Sequence, residues 1–409
     1  MDGLKKFEYT MDSCNHCGQC KWILPPKMKQ WDFAEICPIH QRFGFDAYSG
    51  QGLINIAKEV MKGTLQYGDG LEEMIYTCTC CGACDINCKN VRDMDVLDTI
   101  YALREDCVSA GKLPEAHKET AKKIAETHNI YGKPHADRFA WLPADYADDA
   151  DADTALFIGC AAAYEQQEIA LAAIKILKAG GVKFKLLRED EWCCGTALWR
   201  TGQHDAAEAL VKRNIETFAK HGIKTVITAC AECFGSFRNY PRFAETPFEV
   251  RHISEVAAEL IADGKLHPKK TAKLGTVTYH DPCMLGRLSE EYVPWDGQIL
   301  PYGRTEPRKV WRRGEKGVYE APRAVLRALV ETEPVEMTRN LEDSYCCGAG
   351  GGAPAIDPEF AAWTAGERRR EAKASGADTV VSCCPFCRDA LGDDALPCVD
   401  LAVLLADAL

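Results

Sequence analysis

Residues 192–195 read Trp-Cys-Cys-Gly, and residues 345–348 read Tyr-Cys-Cys-Gly. Each copy has a single cysteine upstream and a C-x-x-C pair downstream. Five cysteines that recur in the same order form an internal repeat, which indicates two copies of one structural unit. Because thiolates are strong metal ligands, the repeat predicts two metal or metal–sulfur sites. The two sets are Cys160, Cys193, Cys194, Cys230 and Cys233, and Cys283, Cys346, Cys347, Cys384 and Cys387.

Strand and helix patterns alternate around both cysteine sets. Short apolar runs alternate with amphipathic stretches, an order typical of a small parallel α/β unit. The cysteines follow predicted strands or precede predicted helices, so they can converge at one edge of a sheet. The predicted strands are 155–159, 182–187, 225–228, 248–253, 275–279, 335–339 and 379–381, and the predicted helices are 167–179, 204–221, 322–329 and 360–374.

The adjacent cysteine pairs restrict the backbone and the metal. Neighbouring side chains in a strand point to opposite faces, so two adjacent ligands require a turn, which the following glycine permits. One zinc ion takes four ligands, and five thiolates are one too many. Bridging sulfur suits a centre with several irons. The pattern therefore favours iron–sulfur centres in both units and leaves zinc as the alternative in one.

The N-terminal segment carries a different cysteine pattern. It has two C-x-x-C-x-x-C triplets and two further cysteines, the spacing of a ferredoxin that binds two cubane [4Fe-4S] clusters. Because the fourth cysteine in such folds serves the other cluster, we group Cys14, Cys17, Cys20 and Cys88, and separately Cys78, Cys81, Cys84 and Cys37. Cys80 is a rival ligand, and Lys89 stands where proline normally follows the last cysteine. Structural zinc is the alternative that the doubled triplets disfavour.

Composition sets the broad class. The chain has 409 residues, 22 cysteines and a net charge of −12. Residues 144–153 are acidic and lack apolar periodicity, as expected of a linker, and residues 52–62 have a helical pattern. We expect a mixed α/β and α+β multidomain protein with an α-helical ferredoxin domain at 1–110, a helical linker at 111–153, and two repeated α/β domains at 154–265 and 266–409.

Several classes of protein are disfavoured. The first ten residues lack the apolar run of a secretory signal, so we expect a cytoplasmic protein whose cysteines bind metal rather than form disulfides. The sequence contains no apolar stretch of the length that a membrane span needs. Basic clusters at 308–313 and 368–370 do not form a sustained basic face, so nucleic acid is not an expected partner.

The complete pattern resembles the CCG-domain proteins of the heterodisulfide reductase group, the D-subunit in particular. The resemblance rests on the two Cys-Cys-Gly repeats, on Ala229-Cys230-Ala231-Glu232-Cys233 and on His280-Asp281-Pro282-Cys283. It implies a noncubane [4Fe-4S] cluster in each repeat, in addition to the two cubane clusters. It also implies partner subunits of the membrane cytochrome b, flavoprotein or ferredoxin type, through which the chain could lie on the cytoplasmic membrane face.

Two functions follow as expectations. The first is an electron-transfer oxidoreductase subunit that reduces a disulfide substrate to thiols at one repeat. The second is a non-catalytic relay within a larger redox complex. The candidate catalytic residues are Cys283, Cys346, Cys347 and His280, and His280 either protonates a leaving thiolate or hydrogen-bonds a cluster sulfur. An insertion at 288–316 lengthens only the second repeat and is expected to be a surface loop near its site.

Overall fold

The computed structural model describes residues 2–68 and 70–409. The N-terminal part is helical, as predicted, and the helix expected at 52–62 is confirmed. Ser49 caps that helix by accepting a hydrogen bond from Gly52 N at 3.2 Å. The helices are α1 (Asp2–Lys5), α2 (Glu8–Ser13), α3 (Pro38–Phe43), α4 (Gly50–Met61), α5 (Leu71–Thr77), α6 (Ala83–Val91) and α7 (Val96–Ser109).

The segment 111–153 is fastened to the unit that follows it. It contains helix α8 (Glu115–Thr127). The carboxylates of Asp148 and Asp149 accept hydrogen bonds from Leu186 N at 2.9 Å and Phe184 N at 3.2 Å. The acidic stretch expected to be a linker thus satisfies backbone donors at the edge of the neighbouring sheet.

The first α/β unit is built on a three-stranded parallel sheet. Strand β1 pairs with β2, and β2 pairs with β3, so the strand order is β1-β2-β3. The helices cover the sheet because parallel strands need crossover connections. The elements are β1 (Thr154–Phe157), α9 (Cys160–Tyr164), α10 (Gln167–Ala179), α11 (Thr196–Arg200), α12 (His204–Lys220), β2 (Thr225–Thr228), α13 (Ala231–Asn239), β3 (Glu249–His252) and α14 (Ile253–Ala262).

The second α/β unit repeats this plan with one addition. Its parallel sheet has the order β4-β7-β8, and a separate two-stranded hairpin, β5-β6, lies in the insertion. The elements are β4 (Val277–Tyr279), β5 (Gln298–Ile299), β6 (Thr305–Glu306), α15 (Glu320–Leu329), α16 (Pro358–Ala374), β7 (Thr379–Ser382), α17 (Pro385–Leu391), β8 (Cys398–Asp400) and α18 (Leu401–Ala408).

The two α/β units pack through equivalent helices. Helix α10 of the first unit contacts α18 of the second, and α14 of the first contacts α15 of the second. Lys175 Nζ donates a hydrogen bond to Ala406 O across this interface at 2.7 Å. The reciprocal pairing relates the units by an approximate twofold arrangement.

Two predicted strands do not form. Residues 182–187 contribute only a single bridge, at Lys185, and residues 335–339 only a single bridge, at Val335. In each segment a carboxylate accepts a hydrogen bond from a backbone N–H. Glu371 Oε1 accepts the hydrogen bond of Arg339 N at 2.6 Å, as Asp148 does for Leu186. Each of these segments is therefore held at the edge of its sheet by one bridge and a side-chain hydrogen bond, and does not form a regular strand.

The buried carboxyl group of Asp400, at the interface between the two α/β units, makes the stability of the folded protein depend on pH. Burial is the main cause that raises the pKa of its carboxyl to about 7, although Ala402 N and Val403 N donate to it. In the unfolded chain the group ionises near pH 4. Stability is therefore lost as pH rises from about 4 to 7, by roughly 4 kcal/mol for a shift of about three pKa units.

Replacing Asp400 by asparagine is expected to remove this pH dependence. Asparagine still offers an oxygen to Ala402 N but carries no charge to bury. The thermal midpoint of the Asp400→Asn protein should match that of the parent near pH 4 and exceed it increasingly towards pH 8. Asp407→Asn, on the exposed face of the same helix, is the matched control. A parent–variant difference that does not grow with pH would contradict the assignment.

Candidate metal–sulfur centres

The first ferredoxin cavity is lined by the four cysteines that the spacing grouped together. The Cys14–Cys20 loop closes one side, and α6 brings Cys88 to the other. Cys17 is exposed and Cys14 is half-buried. This cavity therefore lies near the molecular surface. Its cysteine lining consists of Cys14, Cys17, Cys20 and Cys88.

The second ferredoxin cavity is more enclosed. Its lining includes Cys37, Cys78, Cys81 and Cys84, together with the rival Cys80. Cys80 adopts a left-handed backbone with φ of 49°. Burial raises the pKa of the Cys80 thiol, but hydrogen bonding with Cys78 and the nearby arginines outweigh it and bring the pKa to about 6. Cys80 thus contacts a predicted ligand without belonging to the regular spacing.

The first repeat brings its five cysteines together. All five are buried. Their thiols interact in the series Cys160, Cys193, Cys194, Cys233, Cys230. Residues separated by up to 73 positions (233 − 160) in the sequence therefore meet in one place.

Both adjacent cysteine pairs sit in the turn that the glycine was predicted to permit. Gly195 has φ of 85° and Gly348 has φ of 90°, in the left-handed region. Each glycine N–H is directed at a sulfur, with Gly195 N 3.5 Å from Cys193 Sγ and Gly348 N 3.3 Å from Cys346 Sγ. Backbone N–H groups in this position favour a thiolate over a thiol.

A buried ion pair holds the first site in place. Glu191 Oε1 accepts from Arg138 Nη2 at 2.7 Å and from Gly159 N at 3.0 Å, and Oε2 accepts from Ile158 N at 2.9 Å. Both side chains are almost fully buried. Glu191 directly precedes the Trp-Cys-Cys-Gly turn, and Gly159 directly precedes Cys160. The carboxylate therefore fixes two ligand-bearing segments relative to each other.

The second repeat forms a similar cysteine cluster. Cys347 Sγ and Cys387 Sγ are 3.3 Å apart, and Cys384 and Cys346 interact with these two thiols. Cys283 lies near Cys346 and is the least buried of the ten cysteines in the two repeats. The second site is therefore the more open of the two at one ligand position.

His280 lies beside the second cysteine cluster. One ring nitrogen is within 4.8 Å of the Cys347 and Cys387 sulfurs. Arg368 Nε donates to His280 Nδ1 at 3.1 Å, so a neutral ring carries its proton on Nε2. Burial, and then the positive charge of Arg368, lower the pKa of His280 well below its ordinary value. The imidazole is therefore held neutral.

The second ferredoxin cavity and the second repeat adjoin. The Cys81 and Cys346 side chains interact and belong to one small apolar cluster. Gly351 packs so closely on the ferredoxin loop that an added Cβ would lie 2.6 Å from the carbonyl carbon of Thr79. The glycines after the second Cys-Cys pair therefore serve close packing between the two units.

The insertion at 288–316 reaches the ferredoxin unit. Lys309 pairs with Asp95, and Arg313 pairs with Asp93. Both aspartates follow the helix that carries Cys88. The expected surface loop is thus an exposed hairpin whose base is fastened to the ferredoxin unit by ion pairs.

The cysteine sulfurs at these four sites are suitable ligands for iron–sulfur centres. Thiolates line two cavities and form two clusters of five, and soft sulfur ligands select iron–sulfur clusters or zinc. Within the part of the chain that the structure describes, several buried guanidinium groups near these cysteines keep an N–H without a partner, among them Arg104 Nε, Arg138 Nη1, Arg200 Nε and Arg287 Nη2. Unpaired donors of this kind indicate that a negatively charged group belongs between them.

Comparisons with known families define the class of protein. The chain matches the 4Fe-4S dicluster domain at residues 10–91 and the cysteine-rich domain (CCG) at residues 154–238 and 309–392. The chain is thus an iron–sulfur electron-transfer protein with a ferredoxin-type domain and two CCG domains. The second CCG match begins after Cys283, whose place in the site rests on geometry.

Comparison with individual proteins identifies the family. The chain is 35% identical to the D-subunit of the dihydromethanophenazine:CoB–CoM heterodisulfide reductase of Methanosarcina mazei, over 98% of this chain and 94% of that protein. It is 28% identical to the EtfAB:quinone oxidoreductase of Syntrophomonas wolfei, over 82% of this chain and 46% of that protein. The chain belongs to the heterodisulfide reductase D-subunit family and is an iron–sulfur oxidoreductase subunit. Across residues 2–68 and 70–409, every helix is too short or too polar to cross a membrane.

Sequence reasoning missed the charged residues that organise the sites. Arg138, Arg104 and Arg287 are all buried, although arginine is ordinarily exposed. The one available signal was position, because Arg104 directly follows the apolar run 100–103. Arg368, part of the basic cluster at 368–370, is also buried, and its Nη1 donates a hydrogen bond to Glu371 Oε2 at 2.6 Å.

Proposed function

We propose that this chain accepts single electrons at its exposed ferredoxin-type site and delivers them to the second CCG site, where a disulfide is reduced to two thiols. The observation that carries this proposal is the contact between Cys81 and Cys346. It joins a predicted cubane ligand to a predicted CCG ligand. Electron transfer from the second ferredoxin-type site, which contains Cys81, to the second CCG site then requires no further carrier.

The ligand sets that we propose are the two groups of four cysteines in the ferredoxin part and the two groups of five in the repeats. Two cubane [4Fe-4S] clusters would occupy the ferredoxin cavities, and two noncubane [4Fe-4S] clusters would occupy the CCG sites. When bound, such clusters supply one-electron chemistry and iron that can bind substrate sulfur. Zinc in one CCG site is the alternative. The protein's contribution is to hold the thiolates together and to exclude water from nine of the ten CCG cysteines.

The reaction balances with reagents of defined classes. A disulfide takes up two electrons, its sulfur–sulfur bond breaks, and two protons give two thiols. A partner redox protein of the cytochrome, flavoprotein or ferredoxin type supplies the electrons one at a time. The exposed Cys17 marks the face at which such a partner would dock. Solvent supplies the protons.

The second CCG site is the better candidate for the substrate. Cys283, Cys346 and Cys347 would face the reacting sulfur, since Cys283 is the least buried ligand. His280 would donate a hydrogen bond from Nε2 to sulfur. The bond from Arg368 to Nδ1 keeps the ring neutral, which favours this role over that of a proton donor.

The substrate class follows from family membership. The Methanosarcina relative is, by its name, a reductase for the CoB–CoM heterodisulfide. A mixed disulfide of two thiols is therefore the class that we propose for this chain. A quinone-linked relay is the alternative, because the Syntrophomonas relative is named as a quinone oxidoreductase.

A direct assay separates these functions. The full chain, reconstituted with iron and sulfide without oxygen, is supplied with reduced viologen and an asymmetric thiol disulfide. We expect stoichiometric release of two thiols for every two electrons that the reduced viologen supplies. A fully loaded protein that reduces a quinone but no disulfide would overturn the proposal in favour of the relay.

A further inference from the structure

The loop 78–81 is held by three buried arginines, one from each of the three units. All four carbonyl groups of this loop accept a hydrogen bond from a guanidinium. The bonds are Arg104 Nη2 to Cys78 O (2.6 Å), Arg200 Nη2 to Thr79 O (2.8 Å) and Cys80 O (3.1 Å), and Arg287 Nε to Cys81 O (2.8 Å). We call Arg104, Arg200 and Arg287 the arginine collar.

The collar carries more positive charge than its protein partners neutralise. Its members are 0%, 2% and 3% exposed. Within the described residues, only Arg200 has a carboxylate partner, Glu232, at 2.8 Å. The other bonds of Arg104 and Arg287 also go to carbonyl oxygens, among them Gly351 O and Glu342 O. Buried charges are ordinarily paired, so Arg104 and Arg287 lack a counter-charge.

Within the described part of the chain, the other ferredoxin loop, residues 14–20, has no such collar. Across residues 2–68 and 70–409, no arginine donates a hydrogen bond to a carbonyl of residues 14–20, as the side-chain bonds show. Lys21, next to this loop, pairs with Asp46. Arg92 lines the first cavity but is exposed. The two cubane sites therefore differ in buried positive charge, although their cysteine spacing is nearly the same.

We propose that the arginine collar raises the reduction potential of the centre held by Cys37, Cys78, Cys81 and Cys84, so that this centre stores an electron beside the second CCG site. A centre ligated by four thiolates is anionic, and reduction adds a further negative charge. Fixed cations at hydrogen-bonding distance from the ligand loop favour that added charge. The anionic centre also supplies the counter-charge that Arg104 and Arg287 lack.

Storage at this position has a functional reason. Disulfide reduction takes two electrons, whereas iron–sulfur carriers deliver one at a time. An electron held next to Cys346 is available when the second one arrives. This inference rests on the proposed function, which supplies the centre itself. The residues that it concerns are the three arginines, which are not ligands of the centre.

The test is a redox titration of the reconstituted full chain, followed by electron paramagnetic resonance. In Arg104→Gln and Arg287→Gln, we expect the midpoint potential of the second cubane to become more negative while that of the first is unchanged. Arg104→Lys and Arg287→Lys keep the charge and should remain near the parent value. The first cubane thus serves as an internal control within each sample.

A variant with the opposite expected shift in midpoint potential distinguishes an electrostatic effect from damage to the structure. Glu232→Gln leaves Arg200 without its carboxylate, so the midpoint potential of the second cubane should become more positive. Damage to packing would not reverse the sign in this way. The inference would be overturned if both cubanes assemble but the midpoint potential of the second changes in none of these variants. It would also be overturned if the potentials of the two cubanes change equally. Failure to detect the second cubane in the parent would instead refute the proposed function.

Discussion

Replacing Cys346 by alanine is expected to abolish disulfide reduction while leaving the ferredoxin-type clusters in place. Cys346 is both a predicted ligand of the second CCG site and the side chain that meets Cys81. Its loss should remove about four of roughly sixteen irons and bring thiol release to the level of the protein-free control. Iron content, paramagnetic resonance and thiol release on one preparation measure all three effects.

Cys193→Ala is the matched control, because it removes the equivalent buried ligand from the first CCG site. We expect the same loss of iron with disulfide reduction retained. Turnover that survives in Cys346→Ala and disappears in Cys193→Ala would contradict the assignment of the substrate to the second site.

Replacing Glu191 by glutamine is expected to have the largest effect on stability. The change leaves Arg138 buried without its carboxylate, which should lower the free energy of unfolding by about 3–5 kcal/mol. The amide would also present N–H groups to the backbone donors of Ile158 and Gly159. The first CCG site should then assemble poorly. Thermal unfolding of the holoprotein and its iron content measure the two effects.

Glu189→Gln provides the comparison, because Glu189 lies two positions away and is more exposed than the fully buried Glu191. A substitution near the surface should change the free energy of unfolding by no more than about 0.5 kcal/mol. Equal behaviour of the two variants would show that the Arg138–Glu191 pair does not hold the site.

The sequence was informative wherever the chemistry is local or repeated. C-x-x-C spacing and the glycine after each cysteine pair restrict the backbone directly, and the left-handed turns at Gly195 and Gly348 are as predicted. Helix α10 and strand β2 have the predicted bounds because apolar periodicity alone specifies them. Family membership and the mixed α/β fold could be predicted for the same reason.

Sequence patterns did not predict the hydrogen bonds between residues that lie far apart in the chain. No local pattern predicts that Leu186 N donates a hydrogen bond to Asp148 in a segment that was expected to be a strand. Nor does spacing show that Arg287 reaches the carbonyl of Cys81, 206 positions away. Such bonds depend on how the three units dock, and no periodicity encodes docking.

The most direct test of the four-site interpretation is the metal and sulfide content of the purified, anaerobically prepared chain. Iron, zinc and acid-labile sulfide are measured on the same sample, against a protein concentration from amino-acid analysis. We expect about sixteen irons per chain, four for each of four [4Fe-4S] sites, and no stoichiometric zinc. About eight irons together with one or two zinc ions would contradict it, because the CCG cysteines would then hold zinc rather than redox-active clusters.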